Sequence, residues 1–226
     1  MNKTRLFILA GLLLVLGLSS PVTSAGINEF IIARLKYHGG GDWYGNTSSL
    51  PNLLRFLREN TPLRTAEKEA VVELTDENLY AYPYLYLTGH GRISFSPEEV
   101  QILRDYFAAG GFLHADDNYG LDKYFRKEMK KVFPDQEFQE LPFDHPVFHS
   151  YYEFPRGCPK IHEHDGKPAQ LLGLFYEGRL CVLYSYQTDL GDGWEDPEVH
   201  HDPAELRLQA LKMGTNIVYW RLSRRD

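Results

Sequence analysis

Ser96-Pro97-Glu98-Glu99-Val100-Gln101-Ile102-Leu103-Arg104-Asp105-Tyr106-Phe107-Ala108-Ala109-Gly110-Gly111-Phe112-Leu113-His114-Ala115-Asp116-Asp117 is the stretch that decides the fold. Its first four residues form a capping box with proline at the first helical position. Val100, Leu103 and Phe107 recur at helical spacing. Gly110-Gly111 stops the helix, because glycine accepts the left-handed backbone of a helix end. Phe112–Ala115 then reads as a strand. A capped helix feeding a buried strand is the repeating unit of a parallel sheet covered by helices.

The same alternation extends in both directions. Upstream, Phe30–Tyr37 and Tyr84–Thr88 are apolar strand-like runs, and Val71–Leu74 is a shorter one. A helix beginning at Ser48-Ser49-Leu50-Pro51 carries Leu53, Leu54 and Leu57, and Asp76–Tyr80 makes one helical turn. Downstream, Leu121, Phe125, Met129 and Val132 mark a helix that ends near Pro134. Its start is open to capping by Asp116, Asp117 or Asn118. From Phe138 to Pro168 five prolines break long elements, which predicts an insertion or lid-like loop with a short helix near Val147–Tyr152. Leu171–Tyr176 and Arg179–Tyr186, separated by Glu177-Gly178, predict a hairpin. Asp202-Pro203-Ala204-Glu205 caps a last helix that buries Leu206, Ala210, Met213, Ile217 and Trp220.

Four of these apolar runs end in polar clusters. Phe30–Tyr37 runs into His38-Gly39-Gly40-Gly41-Asp42, and Tyr84–Thr88 into Gly89-His90-Gly91. Phe112–Ala115 runs into Asp116-Asp117-Asn118, and Val182–Thr188 into Asp189, Gly191, Asp192 and Gly193. Parallel strands deliver such ends to one edge of a sheet, where open α/β sheets bind ligands. The expected ligand-binding residues are therefore His38, Gly40, Asp42, Trp43, His90, Asp116, Asp117, Asp189 and Asp192. His90, Asp116 and Asp117 are the candidate catalytic groups. His90, Asp116, Asp117 and Asp189 are the candidate ligands of a divalent metal, since paired carboxylates suit hard cations and added histidine suits zinc. On a strand His114 and Asp116 share a side and Asp117 takes the other. The glycine loop is neither a P-loop nor a dinucleotide fingerprint, because neither spacing is present. The pairs His162/His164 and His200/His201 fit no helical zinc spacing and read as surface.

Residues 1–25 are a class apart. Lys3 and Arg5 precede the apolar core Phe7–Leu18, and Thr23-Ser24-Ala25 supplies a small-residue cleavage site, which predicts a secretory signal peptide. The core is short of the ~20 apolar residues that span a bilayer. The expected product starts at Gly26 as a single domain over 26–226, exported to the periplasm or secreted, with no membrane span. Losing Lys3 and Arg5 takes the net charge from −7 to −9. An acidic chain without a basic stripe is not a nucleic-acid binder. Cys158 and Cys181 are open to a disulfide in an oxidising compartment or to two separate buried thiols.

The segment Tyr84-Leu85-Tyr86-Leu87-Thr88-Gly89-His90, the capped helix, the run Gly110–Asp117 and the loop Asp189–Trp194 resemble an uncharacterised bacterial domain-of-unknown-function family, number four-one-five-nine, across roughly Phe30 to Arg221. That family is similar in fold to class I glutamine amidotransferases and trehalose-utilisation-type proteins. The resemblance implies a flavodoxin-like, mostly parallel sheet with helices on both faces. In the amidotransferases the strand after the Gly-Gly turn ends in a Gly-x-Cys-x-Gly elbow. Here that place reads His114-Ala115-Asp116-Asp117-Asn118, with neither Cys nor Ser. The expectation is an envelope ligand-binding or scaffold domain without the nucleophile, taking a sugar, a cell-wall fragment or an envelope protein partner. A hydrolase using the strand-end histidine and aspartates, with a metal or by acid/base chemistry, is the alternative.

Overall fold

The computed structural model describes residues 29–223, so the expected signal peptide and the expected cleavage before Gly26 lie outside the described residues. The chain alternates strands and helices. β1 is Ala33–Leu35, α1 Ser49–Asn60, β2 Ala70–Val72, β3 Tyr84–Leu87, α2 Pro97–Ala108, β4 Phe112–Asp116 and α3 Asp122–Val132. Then come β5 Gln139–Glu140, β6 Gln170–Tyr176, β7 Arg179–Tyr186, α4 Leu190–Trp194, α5 Pro197–His200 and α6 Ala204–Ser223. All seven strands form one sheet in the order β2-β1-β3-β4-β7-β6-β5. The first five in that order are parallel, β6 pairs antiparallel with β7, and β5 pairs antiparallel with β6. The fold is therefore α/β on a mixed, mostly parallel sheet. β1 and β4, read from sequence as Phe30–Tyr37 and Phe112–Ala115, share that sheet, although only three residues of the first run form the ladder.

Strand alternation sorts the core into two layers. Leu35, Leu85, Leu87, Leu113, Ala115, Val182 and Tyr184 face α2 and α3, packing with Leu103, Phe107, Phe125 and Met129. Ile32, Tyr84, Tyr86, Phe112 and Leu183 face α1, α4 and α6, packing with Leu53, Leu57, Trp194, Met213 and Ile217. Helices thus cover both faces. All five residues of β4 are buried, which is why the central strands read as continuous apolar runs rather than alternating ones. The α2 capping box forms as its sequence demands: Ser96 Oγ accepts from the Glu99 N–H at 3.2 Å, and the Ser96 N–H donates to Glu99 Oε2 at 2.7 Å. Gly110 ends the helix at φ 95°. Gly111 is glycine for space, since a Cβ there would strike the Tyr106 ring. The β6–β7 turn puts Glu177 and Gly178 both at positive φ, 48° and 80°, which matches the right-handed twist of the hairpin.

Two expectations need correction. α3 starts at Asp122, and no side chain caps it. Gly120 at φ 86° breaks the chain just before it, so Asp116, Asp117 and Asn118 are not helix caps. The segment from Phe138 to Pro168 is not a detached lid either. Beyond β5 and a 3₁₀ turn at Pro146–Phe148 it is irregular, but Val147, Phe148, Phe154 and Ile161 are buried against the α6 layer. Asn216 on α6 holds it by both amide atoms: the Tyr152 N–H donates to Asn216 Oδ1 at 2.7 Å, and Asn216 Nδ2 donates to the Tyr152 carbonyl at 2.8 Å. Cys158 and Cys181 are separate thiols, with Cys181 buried on β7. Among the described residues no helix is long and apolar enough to cross a membrane.

Candidate functional site

The ends of β1, β3, β4 and β7 meet at one edge of the sheet. At the first two, the glycine loop is zipped to the loop after β3. His38 bridges Ser94, the Gly41 N–H donates to the Arg92 carbonyl at 2.9 Å, and the Asp42 N–H donates to the His90 carbonyl at 3.3 Å. A Cβ on Gly39 or Gly41 would meet opposing backbone at 2.7 Å, so these glycines allow close pairing of two chain segments. The Gly41 and Asp42 amides are spent on that pairing, while Gly40 has open space beside it. Asp42 accepts from the His90 N–H through Oδ1 and lies 3.1 Å from His90 Nδ1 through Oδ2. His90 and Asp42 thus form an exposed pair at the rim. Trp43 packs against the core, while Tyr44 is exposed. Arg34, buried in β1, fixes the far side of this loop by donating to the Gly45 carbonyl at 2.8 Å and the Asn46 carbonyl at 3.1 Å.

At the end of β4 a chain of polar groups runs through the core. His114 lies 3.1 Å from Tyr84 Oη through Nδ1 and 3.0 Å from Ser185 Oγ through Nε2. Burial alone drives the His114 pKa down to about 3, so the ring is neutral. Ser185 Oγ donates to Asp116 Oδ1 at 2.5 Å. Asp116 also accepts from the Gly191 N–H at 2.6 Å, the Leu190 N–H at 3.3 Å and Tyr86 Oη at 3.3 Å. Burial pushes its pKa up to about 7 against the lowering effect of Ser185 and Gly191. The carboxylate is fully enclosed, and its partners are the first residues of α4. Asp116 therefore docks the loop after β7 onto β4 and is not free to meet a ligand.

Asp117 turns to the opposite side, where it accepts from the Gln187 N–H at 3.1 Å. Burial raises it to about 6. With Tyr119, Gly120, Asp122, Lys123, Tyr124, His164, Asp165, Gln187 and Gly91 it lines a cleft of about 570 Å³. Asn118 beside it is buried with neither amide atom hydrogen-bonded, a costly arrangement for a polar group. A larger cavity, about 790 Å³, lies at the other end of the strands, between Phe30, Leu63, Pro83 and Leu222. Among the described residues its titratable lining groups are Glu29 and Arg64.

The loop after β7 carries the densest chemistry. Asp189 adopts the left-handed conformation at φ 52°, as do Gln187, Asn46 and His201. Among the described residues, these four of the five non-glycines at positive φ surround the site, and strain of this kind gathers where function holds it. His162, His164 and His200, taken from sequence as surface, converge on this loop. His162 Nδ1 lies 2.9 Å from Asp192 Oδ2, and its Nε2 lies 3.2 Å from both oxygens of Asp202. The Asp192 hydrogen bond, more than any other influence, lifts His162 to about 9. Burial pulls the Asp192 pKa up, but His162 and His200 hold it below its ordinary value. His164 Nε2 lies 2.5 Å from Asp189 Oδ2. Burial pushes Asp189 up to about 9 and His164 down, favouring the uncharged form of each. His200 Nε2 lies 2.9 Å from Glu195 Oε2. The ligand atoms of His162, Asp192 and His200 lie within 4.8 Å of one another. Among the described residues this is the group that assembles in this way; the four metal candidates read from sequence, His90, Asp116, Asp117 and Asp189, do not.

The model of the family "Domain of unknown function (DUF4159)" matches residues 31–222, and the chain belongs to that family. No curated protein matches it.

Proposed function

We propose that this DUF4159 member is an exported envelope protein that binds a neutral saccharide in the cleft beside Asp117, on a flavodoxin-like, amidotransferase-like domain without a nucleophile. The parallel strands β2-β1-β3-β4-β7, counted among themselves, follow the 2-1-3-4-5 order of flavodoxin-like sheets, which supports the fold reading. Neither cysteine, nor the serine beside Asp116, is poised to attack. Burial raises the pKa of both Cys158 and Cys181, and Ser185 is enclosed with its proton committed to Asp116. Export rests on the signal sequence in residues 1–25, followed by periplasmic or secreted localisation.

The observation that carries the ligand class is the lining of the cleft. Asp117, Asp122, Asp165 and Gln187 offer acceptors for hydroxyl groups, and Tyr119 and Tyr124 offer ring faces for a pyranose. Tyr119 is two-thirds exposed, with its ring 5.7 Å from that of His164. Three acids against Lys123 disfavour an anionic ligand. Calorimetric titration with chitotetraose, a neutral N-acetylglucosamine oligomer, tests the reading. Binding by the parent and its loss in both Asp117→Asn and Tyr119→Ala support it; equal heats in parent and variants refute it.

A hydrolase is the second reading, favoured by the His162–Asp192–His200 group near the cleft. Release of reducing ends from the same oligomer by the parent, abolished in Asp192→Asn, distinguishes it from binding alone.

A further inference from the structure

The histidines that sequence spacing leaves at the surface build a site of their own. We propose that His162, Asp192 and His200 bind one transition-metal dication of the zinc class. His162 Nδ1 and Asp192 Oδ2 are 2.9 Å apart, and His200 Nε2 and Asp192 Oδ2 are 3.8 Å apart. Around a tetrahedral ion with bonds of about 2.0–2.1 Å, neighbouring ligand atoms sit roughly 3.3–3.4 Å apart. The two measured separations lie on either side of that value. An ion is accommodated by small side-chain shifts.

The surroundings are those of a ligand set held from behind. A metal-binding imidazole gives its other nitrogen to a carboxylate, which fixes the ring and strengthens it as a donor. Asp202 stands in that position, 3.2 Å from His162 Nε2. Asn46 Nδ2 donates to Asp192 Oδ1 at 2.6 Å, which fixes the carboxylate and leaves Oδ2 facing the histidines. Asp189 supplies an independent sign of a missing partner. It is buried, its Oδ2 lies 3.6 Å from His162 Nδ1, and its Oδ1 has no hydrogen-bond partner. Asp192, Glu195 and Asp202 set three carboxyl groups against the two imidazoles, a surrounding that suits a dication.

Two nitrogen donors set the metal class. Imidazole suits zinc, copper, nickel and iron, whereas calcium and magnesium prefer all-oxygen sets. Three protein ligands leave at least one position open. His164 touches Asp189 on one side and lines the cleft on the other, which places the group close to the cleft. The metal site does not rest on the saccharide reading, because metal binding is read out with no sugar present.

The experiment uses the untagged mature protein, stripped with chelator. Zn²⁺ is titrated calorimetrically, and Co²⁺ is followed by its visible absorption. The expected result is one Zn²⁺ per chain, an intense four- or five-coordinate Co²⁺ spectrum, and no displacement by excess Ca²⁺ or Mg²⁺. His200→Ala, on the exposed four-residue α5, removes a ligand with little risk to the fold and abolishes stoichiometric binding. Asp202→Asn weakens it roughly 10–100-fold. Absence of stoichiometric Zn²⁺ binding by the parent, unchanged affinity in His200→Ala, or displacement by equimolar Ca²⁺ overturns the proposal. Circular dichroism of each variant confirms that a lost affinity is not a lost fold.

Discussion

His114 is a buried histidine kept neutral, and replacing it should change how stability depends on pH. Its folded pKa of about 3 lies below the ordinary 6.5. A depressed folded pKa contributes stability that is fully present above the unfolded value and is lost as pH falls through 6.5 toward 3. Each pKa unit is worth about 1.4 kcal/mol. The whole contribution is therefore roughly 4–5 kcal/mol, and about 2 kcal/mol of it is gone by pH 5. Asp116, Asp117 and Asp189, raised to about 7, 6 and 9 by burial, act in the opposite sense. Their raised pKa values cost stability as pH rises, so acidification helps the folded state through them. That effect is common to parent and His114→Gln and drops out of their difference. Glutamine offers an amide donor and a carbonyl acceptor to Ser185 and Tyr84 but takes up no proton. Urea denaturation of both proteins at pH 8, 6.5 and 5 gives the comparison. The variant is less stable at pH 8, because it loses ring packing on Tyr86 and Trp194, whose centroids lie 5.4 and 6.0 Å away. That deficit should shrink by about 2 kcal/mol at pH 5. A deficit that stays constant or grows on acidification refutes a neutral buried His114.

Three further outcomes follow from the same packing. Gly191→Ala places a Cβ 2.6 Å from Tyr86 Oη and 3.0 Å from Asp116 Oδ2; it should cost about 1–3 kcal/mol in a thermal melt, and an unchanged melting temperature argues against the docking of α4 on Asp116. Asn216→Ala orphans both the N–H and the carbonyl of Tyr152, at roughly 1–3 kcal/mol each when buried; limited proteolysis should then cut between 149 and 168 faster than in the parent, and equal rates sink the idea of a strap fastened to α6. Export predicts an N-terminus at Gly26 by Edman degradation of the released protein, and a chain that starts at Met1 excludes cleavage.

The layered sheet was legible because its signals are local. The Ser96 capping box, the Gly110-Gly111 stop and the Glu177-Gly178 turn each act within a few residues, and the structure forms all three. The sheet edge was legible for the same reason: strand ends follow from apolar runs. What each end does was not legible. Asp116 is occupied by N–H groups 74 and 75 residues away, and no spacing rule announces that. His162 meets Asp192 and Asp202 across 30 and 40 residues, through irregular chain with no period to read. The two histidine pairs looked like surface because a zinc motif is recognised by short spacing on one element, and here the ligands come from one irregular segment and two short helices, α4 and α5. A hint existed in Asp189–Asp202, an acidic loop that ends beside His200 and His201. The glycine loop misled in the other direction. Gly39 and Gly41 serve the close pairing of two backbones, and only Gly40 stands in open space.

The saccharide cleft is tested most directly by amide chemical-shift mapping on isotope-labelled mature protein titrated with chitotetraose. The predicted result is a saturable set of shifts at Gly91, Asp117, Gly120, His164 and Gln187, the residues that line the cleft. Saturable shifts confined to Phe30, Leu63 and Leu222 at the opposite end of the strands, or no saturable shifts anywhere, would contradict it.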